Sequence, residues 1–165
     1  MKAIIYNKKG ASKWTLSEVE KPTVNDDAVL VRVHAVSLNA ADYRSAQMGM
    51  VPKHRIFGAD VAGTVEAVGK NVKAFEPGDA VMGDLANFGF GGLAEFVTAP
   101  EKAWVAIPKG VSMEAAATIP LAATTALQAL RNLGRIETGK RVLIVGSAGS
   151  VGPFAVQLAK HLGAE

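Results

Sequence analysis

The stretch that most constrains this chain is Arg141 to Phe154, RVLIVGSAGSVGPF. Val142 to Val145 form a short apolar run that reads as a strand. Gly146 to Gly152 form a glycine-rich turn, and Phe154, Ala155, Leu158, Ala159 and Leu162 then recur at helical spacing, with Gln157, Lys160 and His161 on the opposite face and Gly163 as the stop. A strand feeding a glycine turn and a helix commits this part of the chain to a βα unit. Such a turn lets a backbone approach a pyrophosphate closely and aims helix N–H groups at it. Many α/β proteins use one merely for tight packing, so the turn alone leaves both uses open. Against the pattern GxGxxG, Ser147, Gly149 and Gly152 hold the glycine positions, and an acidic ribose-binding residue about 20 residues further on would fall beyond Glu165.

What precedes the turn has a different character. Lys2–Tyr6 and Trp14–Val19 read as strands, with a turn at Asn7–Gly10 between them. Ala28–Leu38 alternates with a period of two: Val29, Val31, Val33 and Ala35 on one face, Leu30, Arg32, His34 and Val36 on the other. His34 reads as a structural or solvent-facing histidine. Asn39–Arg44 leaves that strand as a loop or short helix. Phe57–Gly69 is a strand punctuated by glycine, Phe75–Asp79 a turn, and Ala80–Gly83, Leu93–Val97 and Ala103–Ile107 further strands, with a flexible loop at Phe88–Gly92. Many short strands with turn signals between them predict a barrel-like β domain. Ser112 then caps a short helix ending at Ala117, Pro120 reads as a break, and Thr124–Leu133 reads as a helix stopped by Gly134.

Composition narrows the function classes. Apolar residues make up 49% and charged residues 20%, an ordinary globular balance. No apolar run is long enough to span a bilayer and Met1–Tyr6 carries no signal-peptide pattern, so a cytoplasmic protein without membrane contact is expected. The net charge of +3 is spread without a basic cluster, which argues against a nucleic-acid surface. Cysteine is absent, which excludes disulfides and thiolate zinc sites, and His34, His54 and His161 are not spaced with other ligand types. No metal is expected.

An ordered series of segments through the whole chain carries a resemblance. These are Asn39-Ala40-Ala41-Asp42, Gly58-Ala59-Asp60-Val61-Ala62-Gly63-Thr64-Val65 with Val68-Gly69, Phe75-Glu76-Pro77-Gly78-Asp79, and Gly91-Gly92-Leu93-Ala94-Glu95-Phe96-Val97. They continue with Ala115-Ala116-Ala117-Thr118-Ile119-Pro120, Thr125 to Leu130, and Ala148-Gly149-Ser150-Val151-Gly152 with Ala155 to Lys160. The chain resembles the medium-chain dehydrogenase/reductase superfamily, in its zinc-free quinone oxidoreductase and enoyl reductase branch. The resemblance implies a mixed fold: a GroES-like, partly open β-barrel over residues 1–123, followed over residues 124–165 by the first βα unit of a Rossmann α/β domain. It implies hydride transfer from NADPH, with NADH as the alternative, to a quinone or an activated C=C such as an enone. A homodimer is also implied. Zinc-dependent relatives carry a cysteine where this chain has Asn39 and a His-Glu pair where it has Ala59-Asp60, so no zinc is implied.

By the same resemblance Asn39 sits in the catalytic cleft, where its amide can donate to the substrate oxygen; the alternative is an asparagine that caps the loop. Tyr43 lines the substrate pocket or simply packs. Thr125 holds the nicotinamide carboxamide, or bonds its own helical turn. Gly149, Ser150, Val151 and Gly152 supply the pyrophosphate cradle. Gly58, Gly63, Gly69, Gly78 and Asp79 read as architecture, Asp42 as structural, Phe88 and Phe90 as pocket wall, and Trp104 as core. The family enzyme is longer than this chain, so the first expectation is the N-terminal part of an oxidoreductase with an incomplete active site of its own. The second is a non-catalytic GroES-like interaction module from a truncated gene.

Overall fold

The computed structural model describes residues 1–9, 12–52 and 54–165. It forms two compact units, Met1–Thr118 and Ile119–Glu165. The turn expected at Asn7–Gly10 ends on Gly10, outside the described residues.

In the first unit β1 (Lys2–Tyr6) and β2 (Trp14–Glu18) pair as an antiparallel ribbon. The strands β3 (Ala28–Ser37), β4 (Asp60–Val68), β5 (Ala80–Asp84), β6 (Phe96–Pro100) and β7 (Trp104–Ala106) form a sheet of order β6-β3-β4-β5-β7, antiparallel throughout. The strand predicted here is β3, and the period-two pattern holds from Val31 onward: Val31 is fully buried and Arg32 and His34 are exposed, the latter with Nε2 3.2 Å from Thr64 Oγ1, whereas Ala28–Leu30 is buried on both faces. Val29, Val31, Val61, Val65, Val81, Leu85, Val97 and Trp104 meet in one core. Each such side chain contributes about 1.5–3 kcal/mol by leaving water. Trp104 is core, as expected, and its Nε1 donates to the Ala99 carbonyl at 3.4 Å.

The strand expected at Leu93–Val97 lies three residues later. The backbone of Leu93–Glu95 is engaged elsewhere: Ile4 N donates to Leu93 O at 2.8 Å, Glu95 N to Lys2 O at 3.0 Å, and Ala94 bridges Ala3. These residues join the ribbon to the sheet, and the β6 ladder with β3 starts only at Phe96. With β6 and β7 left as edges, the described sheet is open.

Two helices belong to the first unit. α1 (Ala40–Gln47) follows β3, and α2 (Met113–Ala117) begins at Ser112, whose Oγ accepts from Ala115 N at 3.2 Å. Ala116 and Ala117 bury against Ala62 of β4.

In the second unit α3 spans Pro120–Leu127 and runs on as π-helix over Gln128–Leu133, closed by Gly134 N donating to Ala129 O at 2.8 Å. The helix expected from Thr124 therefore begins at Pro120. Proline is a starter there, because the first helical turn has no intrahelical acceptor for its missing N–H. α4 (Gly152–His161) packs Ala155 and Ala159 against Ala126 and Leu130, and Gly163 ends it at φ +80°. Val142–Val145 is not a strand, contrary to expectation: no ladder partner lies beside it among the described residues. Just before it, Arg141 is bracketed by Glu165 N to Lys140 O (2.9 Å) and Val142 N to Glu165 O (2.8 Å), the pattern of a parallel pair.

Two predictions follow from this packing. Leu85→Ala lowers stability by about 2–5 kcal/mol, whereas Leu16→Ala, at a site 69% exposed, leaves the urea midpoint nearly unchanged. Glu101 accepts from the N–H groups of both Ala74 and Lys73, which hold its carboxyl below the ordinary value of 4.5. A lowered folded-state pKa gives stability that is present above the unfolded value and is lost as pH falls through the folded one. The difference in melting temperature between wild type and Glu101→Gln is therefore expected at pH 7 and should vanish in acid below 4.5; a difference that persists there contradicts the assignment.

Candidate active site

The polar centre of the first unit lies where β3 ends. The ladder between β3 and β4 closes on the pair Ser37 and Asp60. Asn39, two residues past Ser37, is the N-cap of α1. Its Nδ2 donates to Asp60 Oδ2 at 3.0 Å and to Ser37 Oγ at 3.4 Å, and Ser37 Oγ donates to the same Asp60 oxygen at 3.3 Å. Asn39 N donates to Asp42 Oδ2 at 2.8 Å, while Asp42 Oδ1 accepts from Gly58 N at 2.9 Å. Asp60 is wholly buried and Asp42 is 3% exposed. A carboxylate with no solvent access is held by such donors rather than by water. Gly58 sits at φ +96°, and a Cβ there would lie 2.7 Å from Leu93 N, so only glycine brings its N–H to Asp42 without strain.

Tyr43 lies four residues beyond Asn39 and hence on the same side of α1. It is 52% exposed, and its hydroxyl has no hydrogen-bond partner among the described residues. Phe90 packs edge-on against buried Phe57, with ring centroids 5.2 Å apart, and Phe88 packs against the main core. The loop expected at Phe88–Gly92 begins with a 3₁₀ turn over Ala86–Phe88.

In the second unit Thr125 is exposed on α3, and its Oγ1 donates to Leu121 O at 2.7 Å. The hydroxyl therefore bonds its own turn and keeps lone pairs for an incoming N–H. In the glycine turn, a Cβ on Gly152 would lie 2.5 Å from the Ser147 backbone, so the helix starts in contact with the turn. Gly149 N donates to Gly146 O and Gly152 N to Gly149 O, while Ser150 and Val151 are exposed and their N–H groups have no described backbone acceptor. An exposed turn with free donors at a helix N-terminus fits a phosphate-bearing cofactor.

No group of three or more metal-ligating side chains occurs among the described residues. Asp60 and Ser37 escaped the sequence reading as site residues. The available signal was an acid at the start of an otherwise apolar strand, but only the ladder register shows that it faces Asn39.

Residues 25–109 match the alcohol dehydrogenase GroES-like domain family. The chloroplast envelope quinone oxidoreductase homolog of Arabidopsis thaliana is 41% identical over 173 residues, covering 97% of this chain and 52% of that protein. The 2-methylene-furan-3-one reductase of Solanum lycopersicum is 38% identical over 157 residues, 88% of this chain and 40% of that protein. A zinc-type alcohol dehydrogenase-like protein of Staphylococcus aureus (strain COL) is 36% identical over 152 residues, 88% of this chain and 46% of that protein. The solved quinone oxidoreductase from Coxiella burnetii superposes with a TM-score of 0.86 at 34% identity, covering 99% of this chain and 54% of that one. The chain belongs to the alcohol dehydrogenase GroES-like domain family, and its fold is that of the medium-chain dehydrogenase/reductases, with the GroES-like β domain first. It spans about half the length of the curated relatives it matches.

Removing the Asp42 carboxylate orphans two backbone donors. Asp42→Ala is expected to cost about 1–3 kcal/mol and to speed hydrogen exchange at the Gly58 amide selectively; unchanged protection at Gly58 contradicts this tie.

Proposed function

We propose that this chain supplies the catalytic β domain and the phosphate cradle of an NADPH-dependent oxidoreductase that reduces a quinone or enone without zinc. The observation that carries the reading is the turn from Gly149 to Gly152, in which the N–H groups of Ser150 and Val151 have no described backbone acceptor, in a chain whose relatives include named quinone and furanone reductases. The reduced nicotinamide, when bound, supplies the hydride.

The chain's own residues bind and orient. The N–H groups of Ser150 and Val151 hold pyrophosphate oxygens, and glycine at 149 and 152 keeps the backbone close. Thr125 Oγ1, with its proton on Leu121 O, accepts from the carboxamide. Reduction of a conjugated C=C–C=O group builds negative charge on the carbonyl oxygen, and a donor there lowers the barrier. The amide nitrogen of Asn39 is engaged by Asp60 and Ser37, so the donor role falls to the unengaged hydroxyl of Tyr43. Zinc independence is supported by asparagine at position 39, alanine at position 59 and the absence of cysteine.

A second reading, a non-catalytic interaction module, draws on Leu143 and Val145, which are 89% and 88% exposed. The two readings part in solution. Under the first, NADPH shifts the amide resonances of Ser150 and Val151, and, with this chain carried in an enzyme of its relatives' length, NADPH oxidation by an ortho-quinone or an enone survives a strong chelator. Tyr43→Phe then lowers kcat/KM by about 10²-fold without moving the melting temperature. Silence of those amides at millimolar NADPH, or activity abolished by the chelator, overturns the first reading.

A further inference from the structure

The Asp60 carboxylate is wholly buried, yet one of its oxygens is spent on a residue at the protein surface's edge. Oδ2 lies 3.0 Å from Asn39 Nδ2, and Asn39 is half-buried. That oxygen accepts from the nitrogen end of the Asn39 carboxamide. Ser37 Oγ lies 3.4 Å from the same nitrogen. The nitrogen end of the carboxamide is therefore turned inward. The oxygen end, Oδ1, forms a capping box with Asp42 and keeps a lone pair for a ligand.

The backbone supports this orientation. Asn39 N is tied to Asp42, and Ser37 and Asp60 are held opposite each other by the β3–β4 ladder. Neither end of the network is free to drift. From this geometry we propose that Asp60 is a positioning residue: it locks the Asn39 amide nitrogen inward, so that Asn39 meets a ligand as an acceptor and selects one carrying an O–H donor, such as a hydroquinone or an enol. The first half stands on the network alone. The second half rests on the proposed function and refines it: Tyr43 donates to the oxygen that gains charge, and Asn39 accepts from the hydroxyl that results.

The test uses the 165-residue chain, isotopically labelled. In the wild type the Asn39 side-chain NH₂ protons should exchange with water about tenfold or more slowly than those of an exposed asparagine, the protection one charge-assisted hydrogen bond provides. Asp60→Asn should remove that protection, and Asp60→Glu should restore part of it. Ser37→Ala, which leaves Asp60 in place, should lower the protection only in part, and it keeps the test sound if Asp60→Asn fails to fold. Exchange of the wild-type Asn39 protons at the exposed rate, or protection unaffected by all of these variants, overturns the positioning role.

The ligand half is read separately, by comparing binding of a hydroquinone with that of its dimethyl ether, which has lost both donors. The wild type should prefer the hydroquinone, and Asp60→Asn should reduce that preference about tenfold, the worth of one hydrogen bond; a purely structural role would weaken both compounds alike. If neither compound binds while the Asn39 protons stay protected, the functional reading fails and the positioning role survives.

Discussion

The end of the β3–β4 ladder is the constraint on which the candidate site depends. Antiparallel pairing places Ser37 opposite Asp60, and everything polar nearby is built outward from that pair. A slip of one residue would turn Asp60 to the other face of the sheet, among Val61 and Val65 in the apolar core. The register is held by that core: Val29 and Val31 on β3 and Val61 and Val65 on β4 are all buried. A hydrophobic ladder thus fixes, at its far end, the position of a buried carboxyl group.

α1 is attached by an unusual face. It buries Asp42 and Ser45 and shows Tyr43, Arg44 and Gln47 to solvent, the reverse of an ordinary amphipathic helix. Polar bonds hold it in place: Asp42 to the Gly58 and Asn39 N–H groups, and the Tyr6 hydroxyl to the Ala46 carbonyl at 3.1 Å. Tyr6 also belongs to a run of ring contacts through Trp14, Phe57 and Phe90. The helix therefore leans on directional bonds rather than on apolar area, which suits an element that must present particular side chains at fixed angles.

The second unit is arranged differently. Its helices share a small core around Ala126, Leu130, Ala155 and Ala159, while Leu143 and Val145 stay exposed. A parallel strand exists only through its neighbours, and Val142–Val145 has none among the described residues. The two bonds that bracket Arg141 mark the register such a neighbour would take. The turn itself does not wait for a sheet: it is closed by its own bonds and by the contact of Gly152 with Ser147.

The sequence by itself determined the locally encoded parts. Alternation located β3, glycine and proline located the turns, and Ser112, Gly152 and Gly163 set helix ends, because each signal acts within a few residues. The ordered motifs carried the family and, with the missing cysteines, the case against a thiolate zinc site. Tertiary structure decided what rests on partners distant in the chain. It moved β6 to Phe96 because Leu93 O and Glu95 N are bonded to β1, and it denied Val142–Val145 a ladder. It also turned the Asn39 amide toward Asp60, twenty-one residues away. Which end of a carboxamide faces a ligand depends on what stands behind it, and no local pattern in the sequence records that.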